Sequence, residues 1–393
     1  MRKNPKKSVE ADQPDAPAVD KAEVKSEIDK VKQFLSGTTV EDFKSGDWFA
    51  KLIGFALSRY SNEVDAEYFR RKYPDLPADA IADARIALAA RYASLEGGLT
   101  ATAYTGAIAA TIGSAGGASP LSLPAGALSF VTDLSFTSVL QLRLAYDLSV
   151  IYRVPLNLDD PEDLWKLIRV AFLIKSGEGA SKFVTTSIPS VVRPIVKKIF
   201  SKGTLTTVKS LPVVGKYLLQ RNLIKFAIPG VTIPLSTAVN HWTTAAAGRY
   251  AKTMFRREAR IIEEVDRIDA RLSNHDVALW ALYLIMQADK QTTAEESLYL
   301  HHLTRAARAR GIDSTVMQAF TQSIEVKADD VWSKIDRLTD AAEKSAIYDA
   351  AMLATAVDGK ASEKELVLLQ KLAQRCDREF DVEQVLLLED EWS

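Results

Sequence analysis

The chain has 393 residues, 50 of them basic and 51 acidic, with a single cysteine. That length leaves room for two or three domains with ample core. The even charge balance excludes a uniformly basic nucleic-acid binder, and the lone Cys376 excludes an internal disulfide framework and a thiol-rich metal site and fits a reducing compartment. The opening "MRKNPKKSVEADQPDAPAVDKAEVKSE" has no apolar run after its basic start, so it reads as a tail rather than a signal peptide or a lead-in to a span. Residues 1–40 are assigned to this tail, with a short charged helix from Asp20 to Leu35.

"EDFKSGDWFAKLIGFALSRY" places Phe43, Trp48, Phe49, Leu52, Ile53, Phe55, Ala56 and Tyr60 at helical spacing, which predicts one amphipathic helix. "PADAIADARIALAARYASLE" predicts a second, opened by Pro77 with acids in its first turns. From Gly97 to Thr132 there is no charged residue; 25 of these 36 residues are Gly, Ala, Ser or Thr, and Pro120 and Pro124 interrupt the second half. A spanning helix needs about 20 predominantly apolar residues, and this window is too weak to insert alone. Gly98, Gly106, Ala110 and Gly113 give it a helix face with almost no side chain, suited to close packing inside a bundle or to a hairpin that dips into one leaflet. "LSFTSVLQLRLAYDLSVIY" follows, apolar nearly all round, with Arg143 and Asp147 one turn apart and expected to pair. Strand-like alternation is rare throughout. The expected fold is all-α: a central multi-helix bundle containing a glycine-rich helical hairpin over residues 41–262, a connector over 263–273, and a smaller all-α domain over 274–393.

The 79 residues from Gly179 to Arg257 contain no Asp or Glu and thirteen Lys or Arg, among them Lys182, Arg193, Lys197, Lys198, Lys202, Lys209, Lys216, Arg221 and Lys225. An anionic lipid surface attracts such residues at about 1 kcal/mol each. Nucleic-acid binding would use the same charges, but no recognition module accompanies them, so no nucleic-acid partner is expected. Polar residues within the apolar bundle, namely Asp133, Gln141, Arg143 and Asn240, are candidates either for an internal hydrogen-bond network or for a buried site acting on lipid.

The C-terminal domain repeats itself. "ADKQTTAEESLYLHHL" and "VDGKASEKELVLLQKL" align without a gap at an offset of 69 residues, placing Asp289, Thr293 and Glu296 opposite Asp358, Ser362 and Glu365. Thr293-x-x-Glu296 and Ser362-x-x-Glu365 have the spacing of capping boxes. Asp289, Glu296, Asp358 and Glu365 would instead form a divalent-metal site only if carboxylates from both copies converged. His301-His302 reads as partly exposed surface, Trp280 and Trp332 as core, and Trp48 and Trp242 as either core or lipid interface. No nucleophile elbow occurs. "LPVVGK" ends in Gly-Lys, but Ser210 and Tyr217 stand where a phosphate loop needs glycine and a magnesium-holding hydroxyl. Cys376 lies among Arg375, Asp377 and Arg378 and is a weak candidate for a catalytic thiol. No catalytic residue is assigned and no cofactor is expected beyond that metal.

Residues from about Glu41 to Ile262 resemble the bacterial EcsC family. The resemblance rests on the ordered pieces "LEGGLTATAYTG", "LPAGALSFVTDL", "LQLRLAYDLSVIY", "LDDP", "LPVVGK" and "IPGVTIPLSTAVNHWTTAAAGRYA", with Asn240 and Gly248. Tyr152-Arg153 departs from the family's Tyr-Gly at a turn, and the gap before Pro120 is longer. The C-terminal repeat is similar to the TerB-like helical domains of tellurite-resistance proteins and some membrane-bound co-chaperones; "ATAVDGKASEKE" is the closer copy, the first having Lys290 where the second has Gly359. These resemblances imply a helical protein of a family linked to a transporter operon and without a demonstrated activity. They also imply a stress-response role at the inner membrane, with a divalent metal on the acidic loops. The combined expectation is a non-enzymatic cytoplasmic protein, peripheral to the inner membrane, that binds anionic lipid through its central domain and a partner protein or metal through its C-terminal domain. A lipid-acting hydrolase or transferase and a soluble scaffold are the alternatives.

Overall fold

The computed structural model describes residues 20–101, 125–173, 211–212, 214–216, 218, 233–289, 292–312, 314–316, 319, 322 and 324–392. Among them the fold is all-α, with fifteen helices and no strand. The chain divides into two compact units between Thr253 and Met254.

The first unit begins with α1 (Lys21–Ser36), capped by the Asp20 carboxylate, which accepts from Ala22 N at 2.9 Å. Val24, Ile28, Val31 and Leu35 recur every three to four residues and are all buried, against a group that includes Phe136. This apolar stripe is why α1 belongs to the folded unit rather than to a tail. The single helix predicted after it is three: α2 (Val40–Ser45), α3 (Trp48–Leu57) and α4 (Tyr60–Glu63). The break falls at Gly46, whose φ of +90° suits glycine and closes α2. A Cβ there would lie 1.8 Å from the Pro212 carbonyl oxygen. A Cβ on Gly215 would lie 2.5 Å from the Gly46 carbonyl oxygen and 2.9 Å from Phe49 Cβ, so "LPVVGK" serves as a packing segment, with Lys216 exposed.

After α5 (Ala66–Lys72), the long helices α6 (Ala78–Ala101) and α7 (Ala125–Ile151) form the most extensive pairing of the unit. Apolar nearly all round, α7 packs as that composition requires, touching α1, α3, α5, α6 and α8 (Pro161–Ala171). Gly248, on α9 (Ile233–Asp269), admits the close approach of Ile86 and Leu144, whose side chains would stand 2.8–2.9 Å from an added Cβ. At the end of α7, Arg153 takes the left-handed conformation (φ +57°), with Val154 N donating to Ser149 O at 2.8 Å. The turn keeps the geometry a glycine would adopt and carries an arginine in it.

In the second unit, α10 (His275–Met286) and α13 (Ala341–Ala356) pack on each other. Around them lie α11 (Ala294–Ala309), α12 (Ala328–Asp336), α14 (Glu363–Arg375) and α15 (Val382–Trp392). α11 and α14 begin 69 residues apart, at the offset of the sequence repeat. Trp332 is buried and Trp280 half-buried, both in this core.

Candidate functional sites

Three of the four buried polar candidates come together. Asn240 Nδ2 donates to Asp133 Oδ1 at 2.6 Å, and Asp133, Gln141 and Asn240 line one cavity with Thr137, Ser138 and Thr243. Its volume is about 40 Å3, enough for a water and far too small for a lipid. The arrangement is a hydrogen-bond network across α7 and α9.

Arg143 lies elsewhere, and its expected pairing with Asp147 does not form. Arg143 Nε donates to the Ala56 carbonyl at 3.1 Å, Nη1 to Glu27 Oε2 at 3.1 Å, and the guanidinium lies 5.0 Å from the centre of the Tyr60 ring. Asp147, wholly buried, instead accepts from Arg85 Nε at 2.9 Å, Arg85 Nη2 at 2.5 Å and Tyr60 Oη at 2.7 Å. One turn along a helix permits a pair but does not compel it, and partners from α1 and α6 offered better-aligned, charge-assisted bonds. Burial raises the Asp147 carboxyl above the ordinary carboxylate range despite the opposing pull of Arg85 and Tyr60. Burial and the adjoining Asp147 charge raise the Tyr60 hydroxyl as well. Arg85 and Glu27 are not singled out by the sequence, and Tyr60 only as a position on an apolar helix face. The signal for Arg85 was present: it follows Ile81 by four residues and precedes Leu88 by three, an arginine on an apolar stripe.

Both capping boxes form as the spacing predicts. Thr293 Oγ1 accepts from Glu296 N, and Thr293 N donates to Glu296 Oε2 at 2.6 Å; Ser362 and Glu365 repeat the arrangement, with Ser362 N to Glu365 Oε2 at 2.7 Å. Glu296 and Glu365 are both buried, and their carboxyl groups meet in a hydrogen bond. Two carboxyls can share such a bond only if one is protonated. Burial first, and then Glu365, push Glu296 up to about 8. Asp358 Oδ1 accepts from Lys360 N at 2.9 Å, and burial raises its carboxyl too. Among the described residues no group of three or more His, Cys, Asp or Glu side chains is placed to hold a metal ion. Glu296 and Glu365, one from each copy, do come together.

His302 is buried, its Nε2 3.0 Å from Glu258 Oε1, where the sequence suggested surface. It follows a helix face that Leu300 and Leu303 do not define, so its burial depended on α9 supplying a partner. The Cys376 thiol is buried, which pushes it up to about 11, far from a reactive thiolate at neutral pH.

Of the residues proposed to meet lipid, Lys182, Arg193, Lys197, Lys198, Lys202, Lys209, Arg221 and Lys225 lie outside the described residues, as do Gly106, Ala110 and Gly113. Gly98 falls in the last turn of α6. Elsewhere in the acid-free stretch, Lys252 Nζ pairs with Asp83 at 2.7 Å and Arg257 Nη1 with Glu295 at 2.7 Å, so these two are structural. Lys216 and Arg249 are exposed. Trp48 is fully buried, whereas Trp242 is 65% exposed beside exposed His241. No helix among the described residues is long and apolar enough to cross a membrane.

In comparisons with known proteins, no family model, no curated protein and no solved structure matches the chain.

Proposed function

We propose that the protein is non-enzymatic and associates peripherally with an anionic membrane surface, on the cytoplasmic side, through the central domain. The carrying observation is Trp242, 65% exposed on α9 within a stretch that lacks any acid. Tryptophan, with an apolar body and a polar N–H, is the residue type favoured at a headgroup boundary. Arg249, seven residues on and therefore on the same helix face, and Lys216 add exposed positive charge. The C-terminal domain offers a surface of the other kind: Val382, Leu386 and Leu387 are exposed on α15. We assign it to a protein partner, in the envelope-stress role that the TerB-like resemblance implies.

Co-sedimentation with vesicles tests the reading. The full chain is expected to bind phosphatidylglycerol-containing vesicles and not neutral phosphatidylcholine ones, with binding falling as salt rises. Trp242→Ala and Arg249→Glu should each weaken binding, the charge reversal by about 2 kcal/mol at low salt. Equal binding to both vesicles overturns the electrostatic part. Binding to neither leaves the soluble-scaffold alternative.

A further inference from the structure

Beneath the Arg143 network, a cleft opens within the first unit between α1, α3, α6 and α7, with a volume of about 740 Å3. That is the size of sites for small organic ligands. Its apolar wall includes Phe55, Leu88, Phe136, Val139 and Leu140, and its polar end gathers Arg143, Arg85 and Lys72 around Tyr60 and Tyr68. The bonding at that end is unequal. Each acid facing the cleft is already engaged: Asp147 by Arg85 and Tyr60, Glu27 by Lys30 and Arg143, Glu63 by Arg59, Glu23 by Tyr92. The cations keep donors in hand. Arg143 uses Nε and Nη1, Arg85 uses Nε and Nη2, and Lys72 spends one bond on the Tyr68 hydroxyl.

We propose that this cleft binds one molecule of an amphipathic anion, its acyl chain along the Phe136–Leu140 wall and its carboxylate or phosphate head on Arg143 beside Arg85 and Lys72. The lining carries five cations, Lys30, Arg59, Lys72, Arg85 and Arg143, against four acids that already have partners, so an anionic head completes charge-assisted bonds where an ammonium would add to an excess of positive charge. The apolar wall selects a chain over a bare ion. The Asp133–Asn240 cavity is too small to compete for it. This site does not depend on surface docking and would serve a free fatty acid or a lipid drawn from a bilayer equally, since both present the same head-and-tail chemistry.

The test is calorimetric titration of the full chain with laurate and with dodecyl phosphate, below their micellar concentrations, beside dodecyltrimethylammonium as the cation of equal chain length. Saturable 1:1 binding of either anion and none of the cation is expected. Arg143→Gln should weaken it at least tenfold, and Leu140→Trp, which fills the cleft from a half-buried position, should abolish it with the helical circular dichroism intact. Trp242→Ala should leave laurate binding unchanged while reducing vesicle binding, which separates this site from the docking surface. Protein re-isolated from phosphatidylglycerol vesicles and analysed by mass spectrometry distinguishes the sources: a retained phospholipid identifies the bilayer, and binding of monomers alone identifies a free acid. Equal binding of anion and cation, the absence of saturable binding, or binding indifferent to both Arg143→Gln and Leu140→Trp overturns the proposal.

Discussion

Burial and the facing Glu365 carboxyl raise Glu296, and a proton shared between the two should make the stability of the second unit fall as pH rises. Glu296 is pushed up to about 8 from an ordinary 4.5, so the folded state holds a proton that the unfolded chain gives up above that ordinary value. A folded pKa raised in this way contributes stability fully present below about pH 4.5, progressively lost as pH rises through about 8. At about 1.4 kcal/mol per pH unit, the gap sets a ceiling of roughly 5 kcal/mol. Water admitted as the second charge develops relieves part of that, and roughly 2–3 kcal/mol is expected. Asp289 and Glu365 face Glu296 or its partner and oppose a second charge, while the backbone amides of Thr293 and Ser362 favour one. Glu296→Gln replaces the proton by an amide: its oxygen can still accept from Thr293 N, and its NH2 can donate to Glu365 at any pH. Urea denaturation between pH 5 and 8.5 should show the parent losing roughly 2–3 kcal/mol across the range. The variant should stay nearly level and become the more stable of the two at the alkaline end. A parent curve flat over this interval, or a Glu296→Gln loss that is the same at every pH, would refute the shared proton and return both residues to ordinary ionised caps.

Three further outcomes follow from the packing. Asp147→Asn leaves the Arg85 guanidinium buried without its counter-charge and should cost about 3–5 kcal/mol by urea denaturation at neutral pH. Arg153→Gly relieves a left-handed arginine that is exposed and should stabilise the first unit by about 0.5–1 kcal/mol, read as a higher melting temperature. Gly248→Leu drives a side chain into Ile86 and Leu144 and should destabilise by about 1–3 kcal/mol in the same melt.

The helices were legible where periodicity alone determines them. α1 and α6 lie where the sequence places them, whereas α7 begins at Ala125, nine residues before the apolar stretch that predicted it and inside the uncharged window. The division of the next segment into α2, α3 and α4 was not legible. Its apolar spacing continues through Gly46 and favours one helix; the break is made by the left-handed cap at Gly46, where the close approach of the Pro212 backbone leaves no room for a side chain. Capping boxes are local, so Thr293–Glu296 and Ser362–Glu365 could be read directly, and the 69-residue repeat marked them as equivalent. What spacing could not supply was that the equivalent carboxyls face each other, a consequence of how α11 and α14 are held by the central pair.

The charged residues show the same division more sharply. Counting thirteen cations in a stretch without acids treats each as available, yet Lys252 reaches Asp83 and Arg257 reaches Glu295, acids supplied by helices distant in sequence. For these two residues, segregation along the chain is not availability in space, and a membrane-facing surface has to be argued from exposed side chains such as Trp242, Arg249 and Lys216. The converse holds in the cleft. Arg143 and Asp147 looked self-sufficient one turn apart, which would have cancelled both charges. By taking separate partners from α1 and α6 they leave α7 with an arginine whose second Nη remains available. It is this unmatched donor, created by tertiary pairing and invisible to any local pattern, that turns a structural ion network into a place where an anionic ligand can be held.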